Sequence, residues 1–250
     1  MTRKPNDASA RGKRAAAKTA PARAARKAAT KGRTPKAAAA RTTHAASPYH
    51  HGALRDALLQ AAERVLERDG LSGLTLRAVA REAGVSHAAP THHFGDLTGL
   101  LSELAAIGFR QFGAAMAAAD ASAATPPEKG LASARAYVGY AQAHPGMYGL
   151  MFRNERLDFS RPSLDEASEA SFAGLARGVG ASRQEQISKE SLTLDQGAAI
   201  ARAWSLVHGF TMLLLDGRLK DILHRLPEGT GSDQLLDAML RLTVGRPPGP

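Results

Sequence analysis

The boundary at Pro48 constrains this chain more than any other feature. Before Tyr49 there is no aromatic residue and no Leu, Ile or Val, and beyond it apolar residues recur at helical spacing. A segment of mostly Ala, Lys, Arg, Thr and Pro cannot bury enough apolar surface to offset its ordering entropy, so residues 1–47 are expected to be a disordered arm. They hold 13 Lys or Arg against the single Asp7, a net of +12, out of 33 basic and 23 acidic residues in the chain. The remainder carries 20 basic and 22 acidic residues, so a near-neutral body bears a basic arm. Flexible cations neutralise phosphate whatever the base sequence, which points to DNA tethering. A solubilising extension, a start assigned upstream of the true one and an Arg-rich transit peptide are the competing readings.

With 250 residues and 44% hydrophobic content the chain suits one or two soluble domains, and with no Cys it cannot be a disulfide scaffold. Past Pro48, Leu54, Leu58, Ala61, Ala62, Val65 and Leu66 alternate with Arg55, Asp56, Glu63, Arg64 and Glu67 as one face of a helix that stops at Asp69-Gly70. A shorter helix follows, with Thr75 as N-cap, Leu76, Val79, Ala80 and Ala83 facing inward, and Gly84 at its end. Ser86 is placed as the cap of a third helix from His87 to about Phe94. Two short helices joined by Gly84-Val85-Ser86 have the spacing of a helix-turn-helix. The second helix of such a pair enters the major groove. Here it offers His87, Thr91, His92 and His93 beside the small Ala88 and Ala89, so the backbone approaches closely while polar groups reach base edges or phosphates. Pro90 sits near the first turn, where a missing donor costs little.

These residues, from Leu54 to Leu101 and including Leu74-Thr75-Leu76-Arg77-Ala78-Val79-Ala80, Ala83-Gly84-Val85-Ser86, His93-Phe94 and Asp96, resemble the DNA-binding domain of the TetR family of bacterial transcription regulators. The resemblance implies a homodimer, mostly a repressor, whose helical C-terminal domain binds a small molecule and releases DNA. It also implies that Ser86 to His92 lie on the recognition helix and that Thr75 contacts phosphate. Two residues depart from the family pattern: Thr91 stands where an aromatic is usual, and Leu97 where Lys usually follows the Phe-x-Asp turn. Both remove expected backbone contacts. Residues 48–96 carry five Arg and six acids. The expectation is therefore that the arm supplies the missing charge.

The rest of the chain reads as helical. A linking helix, Leu100 to about Ala119, continues from Asp96, Pro126-Pro127 interrupt, and a helix from Glu128 to Ala143 ends at His144-Pro145-Gly146 before the apolar stretch Met147 to Phe152. A weaker helix spans Leu164 to Val179, and Arg183 to Ser191 reads as a loop. Leu194 to Leu219 is apolar on every side of a helix, so it needs burial by the core and by a partner subunit; Arg202 and His208 argue against a membrane span. With Asp233 to Val244 it would make a four-helix dimer interface. Trp204-Ser205-Leu206-Val207-His208-Gly209 resembles the Trp-His-Gly signature of one TetR C-terminal subgroup. Trp204 and His208 share a face, either as the wall and polar tip of a pocket or as a tryptophan packed over a satisfied core histidine, with Gly209 allowing close helix approach. Buried polar groups usually have structural partners, so packing is the preferred reading. The pocket candidates are Tyr148, Met151, Phe152, Phe172, Trp204 and His208, and such walls imply a hydrophobic ligand.

Catalysis has no motif: there is no glycine-rich phosphate loop, nucleophile elbow or His-x-x-x-His pair, and His50-His51 and His92-His93 are spaced wrongly for chelation. Asp165, Glu166 and Glu169 read as a solvated face. The expected molecule is an all-α, cofactor-free regulator in the bacterial cytoplasm, associated with the nucleoid. It has a basic arm at 1–47, a helix-turn-helix domain at 48–98 and an effector and dimerisation domain at 99–246. Its partners are a palindromic DNA operator, a second copy and a small molecule, without a membrane. The alternatives are an architectural DNA-binding protein dominated by the arm, and a small-molecule binder that no longer reads DNA.

Overall fold

The computed structural model describes residues 48–188 and 190–244, so the basic arm lies outside the described residues. Those residues form helices and connecting turns, with no strand among them. Helix α1 (Pro48–Gly73) breaks at Gly70, whose φ of +69° ends the regular helix at the residue the sequence picks out. Helices α2 (Leu76–Glu82) and α3 (Ala88–Phe94) follow, then the long α4 (Leu97–Ala121). The remaining helices are α5 (Pro126–Ala143), α6 (Pro145–Met151), α7 (Pro162–Arg183), α8 (Leu194–Leu215), the single turn α9 (Lys220–Leu223) and α10 (Ser232–Val244).

Several boundaries differ from the pattern-based expectation, each for a local reason. The start of α4 after Asp96 is as expected, the Asp96 carboxylate accepting the Gly99 N–H at 2.8 Å, but the helix runs on to Ala121. Pro126 and Pro127 do not interrupt α5 but begin it, as fits residues with no donor to lose in a first turn. Glu128 closes that turn by accepting the Thr125 N–H at 2.9 Å. Pro145 likewise opens α6, which turns the apolar stretch after His144 into a helix. Helix α7 passes through Gly178 and Gly180 to Arg183, where Gln184 takes a left-handed conformation at φ 57°. Helix α8 stops at Leu215, and Gly217 at φ +70° turns the chain.

One hydrophobic cluster runs through the whole body. Leu58, Ala62, Val65 and Leu66 of α1 meet Val79, Phe94 and the α4 residues Leu100, Leu104 and Phe109, and the same cluster continues through Tyr137, Tyr148, Met151, Phe210 and Leu236. Helix α4 is its axis. It packs against α6 at Gly108, where an added Cβ would come within 2.8 Å of Met147 and 2.9 Å of Met151. Gly209, expected to permit close helix approach, has nothing within 4 Å of an added Cβ. Helix α8 is long and apolar enough by composition to cross a membrane, yet its burial is one-sided. Ile200, Val207, Phe210 and Thr211 pack inward, while Trp204, Met212 and Leu213 remain 40 to 43% exposed.

Candidate functional site

The residues singled out for DNA reading lie at the start of α2 and along the turn and helix that follow it, most of them exposed. Thr75 begins α2 with its hydroxyl accepting the Ala78 N–H at 3.1 Å. The chain then leaves α2 through Gly84 at φ +68°, with the Val85 N–H bonded to the Ala80 carbonyl at 3.0 Å. Ser86 does not cap α3 with its side chain; α3 begins at Ala88, and the Ser86 carbonyl accepts from Ala89 N–H at 3.0 Å. Pro90 and Phe94 are buried and fix one face of α3 against the core. Ser86 and His87 of the preceding turn and Ala88, Thr91 and His92 of α3 are exposed to solvent, while Ala89 and His93 are half-buried. The 3.6-residue period therefore separates buried from exposed positions on a seven-residue helix.

Around this edge the acidic residues are tied back. Glu82 accepts from Arg64 at 2.9 Å and Arg68 at 3.0 Å, and those hydrogen bonds hold its carboxyl below the usual range. Arg68 does the same for Asp69. Asp96 caps α4, and Glu67 accepts the N–H groups of Gly146 and Met147 at 3.1 and 3.0 Å. Leu97, in the position where a phosphate-binding Lys was expected from the family pattern, packs against the core.

A second assembly lies where α5, α6 and α8 meet. The hydroxyls of Tyr137 and Tyr148 approach His208 Nδ1 at 2.9 and 2.8 Å, and the Tyr148 hydroxyl donates to that of Tyr137 at 3.2 Å. Phe152 lies edge-on to His208 with centroids 4.8 Å apart, and Trp204 is 6.3 Å from Phe152 and 6.0 Å from His208. Burial raises both tyrosine hydroxyls above their ordinary pKa and lowers that of His208. The assembly is therefore uncharged near neutral pH: the Tyr148 hydroxyl donates to Tyr137, and the Tyr137 hydroxyl donates in turn to an imidazole that, with its proton on Nε2, accepts at Nδ1.

Of the six pocket candidates, the structure brings together Tyr148, Phe152, Trp204 and His208. Met151 is buried toward Gly108 of α4, and Phe172 packs with Ala176, Val179 and Ile200 in a separate cluster between α7 and α8. Tyr137 was missed by sequence reasoning. Its signal was available, since Tyr137 sits three residues after Ala134 on the apolar side of α5 and a phenol there needs a partner when buried.

Comparison with known proteins matches both halves of the body to one family. Residues 58–104 fit the family description "Bacterial regulatory proteins, tetR family", and residues 131–242 fit "Tetracyclin repressor-like, C-terminal domain". The chain belongs to the TetR family. Its members are DNA-binding transcription regulators. An uncharacterized HTH-type transcriptional regulator of Mycobacterium tuberculosis is 26% identical over 76% of this chain and 80% of its own length. A solved protein of unknown function from Rhodococcus sp. RHA1 is 36% identical, covers 78% of this chain and 95% of its own, and superposes with a TM-score of 0.63. The regulator FadR from Bacillus subtilis, solved in complex with stearoyl-CoA, shares the fold at 17% identity and a TM-score of 0.56, over 76% of this chain and 97% of that one.

Proposed function

We propose that this TetR-family regulator is a homodimeric, cytoplasmic and nucleoid-associated repressor that reads a palindromic operator with α3 and is released by a small hydrophobic effector. The observation that carries the reading is the two-sidedness of α3: Pro90 and Phe94 are locked in the core while Ser86, His87, Ala88, Thr91 and His92 face outward beside the capped start of α2. Thr75 is assigned to phosphate, together with the exposed Arg77 and Arg81, and the outward residues of α3 to base edges and flanking phosphates. The half-buried His93 is assigned to the same edge. The organisation is an arm at 1–47, a reading domain at 48–98 and an effector and dimer domain at 99–246.

The dimer surface is assigned to α8 and α10. Met212, Leu213 and Leu215 of α8 and Leu242 of α10 are large apolar residues left exposed, and two such helices from each copy would close a four-helix interface. The effector site is assigned to Tyr137, Tyr148, Phe152, Trp204 and His208, with Trp204 at its exposed side. An uncharged aromatic wall suits a lipophilic ligand, and stearoyl-CoA, bound by the Bacillus subtilis regulator of the same fold, is the first probe. The test is selection of genomic fragments by the purified chain at near-physiological salt. An inverted repeat enriched and then released by an added effector is expected; retention of all duplexes without a shared motif would favour the architectural reading that the +12 arm suggests.

A further inference from the structure

The recognition helix is gripped at its end by a residue from the other half of the molecule. Arg161 stands at the N-terminal boundary of α7, within the C-terminal family match, and its Nη2 donates to the backbone carbonyl of Phe94 at 3.2 Å. Phe94 is the last residue of α3. The carbonyls that end a helix have no partner within it, and a cation there is favoured by the helix dipole, so Arg161 completes α3 from outside its own domain.

The surroundings hold this arginine in place. Its Nε lies 3.5 Å from Asp158 Oδ2, an ion pair without hydrogen-bond geometry, and its Nη1 lies 4.0 Å from Glu103 Oε1 on α4. Glu103 also accepts from Ser163 at 2.9 Å and from Arg55 at 2.5 Å, and the Arg55 guanidinium sits over the Phe94 ring at 5.6 Å. The Asp158 N–H is bonded to the buried Ser102 hydroxyl at 2.9 Å, which pins the loop before Arg161 to α4. Gly99 makes the approach possible: a Cβ there would fall 2.0 Å from the Phe94 carbonyl oxygen and 2.5 Å from Arg161 Nη2. Phe94 is thus held by its ring from α1 and by its carbonyl from the C-terminal domain, with Glu103 between the two arginines.

We propose that Arg161 is a positioning residue for DNA recognition, through which the loop before α7 sets the angle at which α3 meets the groove. This rests on the assignment of α3 as the reading helix. Base contacts depend on placement of a short helix to within about an ångström, whereas phosphate attraction does not. Arg161→Met, which keeps length and removes the donors, is therefore expected to weaken binding to the genomic duplex enriched by the wild type by about tenfold or more while leaving random-duplex affinity and the salt slope unchanged. Arg161→Lys, which restores one donor and the charge, is expected to recover part of that loss. Hydrogen exchange of the free variants reads the grip without DNA: the amides of residues 91–95 should exchange faster in Arg161→Met, with α2 unaltered. If Arg161→Met binds the enriched duplex as the wild type does, or exchange accelerates equally in α2 and α3, the positioning role is overturned while the reading assignment stands. If the wild type enriches no duplex, the reading assignment fails, and the role of Arg161 fails with it.

Discussion

Single side chains here do two kinds of work that can be separated by substitution. Thr75 both caps α2 and is assigned to phosphate, and the first part is set by its 3.1 Å bond to the Ala78 N–H. Thr75→Ala should cost about 1 kcal/mol of stability, read as a lower urea midpoint at unchanged slope, while Thr75→Ser should cost little because serine caps as well. His208 makes a prediction in pH. Burial lowers its pKa below the ordinary 6.5, so the unfolded chain takes up a proton on acidification before the folded chain does. Stability is thus expected to be flat above pH 6.5 and to fall as the pH drops below it. A His208→Gln chain lacks this titrating group, so its urea midpoint should fall less than that of the wild type over the same acid range. Parallel curves would show that His208 titrates alike in both states.

At the level of helices, periodicity and capping residues made most of the architecture legible. Gly70, Thr75 and Gly84 were readable because a positive φ and a side-chain acceptor are local demands met by few residue types. The prolines misled: Pro126 and Pro145 read as breaks, yet proline at a first helical position starts a helix as readily as it ends one. The candidate effector assembly was half legible. Trp204 and His208 are four apart on one helix, but Tyr137 reaches His208 across 71 residues of sequence and Glu67 reaches Met147 across 80, and no period in one helix encodes such pairings. Phe172 shows the reverse error, since its apolarity was right and its cluster was not. The approach of α4 to α6 is a further long-range feature, and it can be tested. A side chain at Gly108 must displace Met147 and Met151, so Gly108→Val should destabilise the chain by about 1–3 kcal/mol even though methionines yield more readily than backbone. A urea midpoint equal to that of the wild type would mean that α4 and α6 separate without cost.

For the whole molecule the deciding quantity is where the positive charge lies. Residues 48–96 hold five Arg and six acids, and the structure uses much of that charge internally: Arg64 and Arg68 bind Glu82, Arg68 binds Asp69, and Arg55 binds Glu103. A reading domain of this balance is poorly supplied for the sequence-independent attraction that brings a regulator to DNA. Residues 1–47 carry 13 cations and one acid in the same chain. If they neutralise phosphates, each one engaged adds about 0.9 to the steepness with which log K falls against log salt. Deleting residues 1–46 should then flatten that slope and weaken the enriched and random duplexes by the same factor, because phosphates carry no sequence. The ratio between the two duplexes, assigned to α3, should not move. Titration of both chains on both duplexes at several salt concentrations separates the contributions: a change in the ratio would assign base reading to the arm, and equal affinities at low salt with and without it would remove the arm from DNA binding altogether.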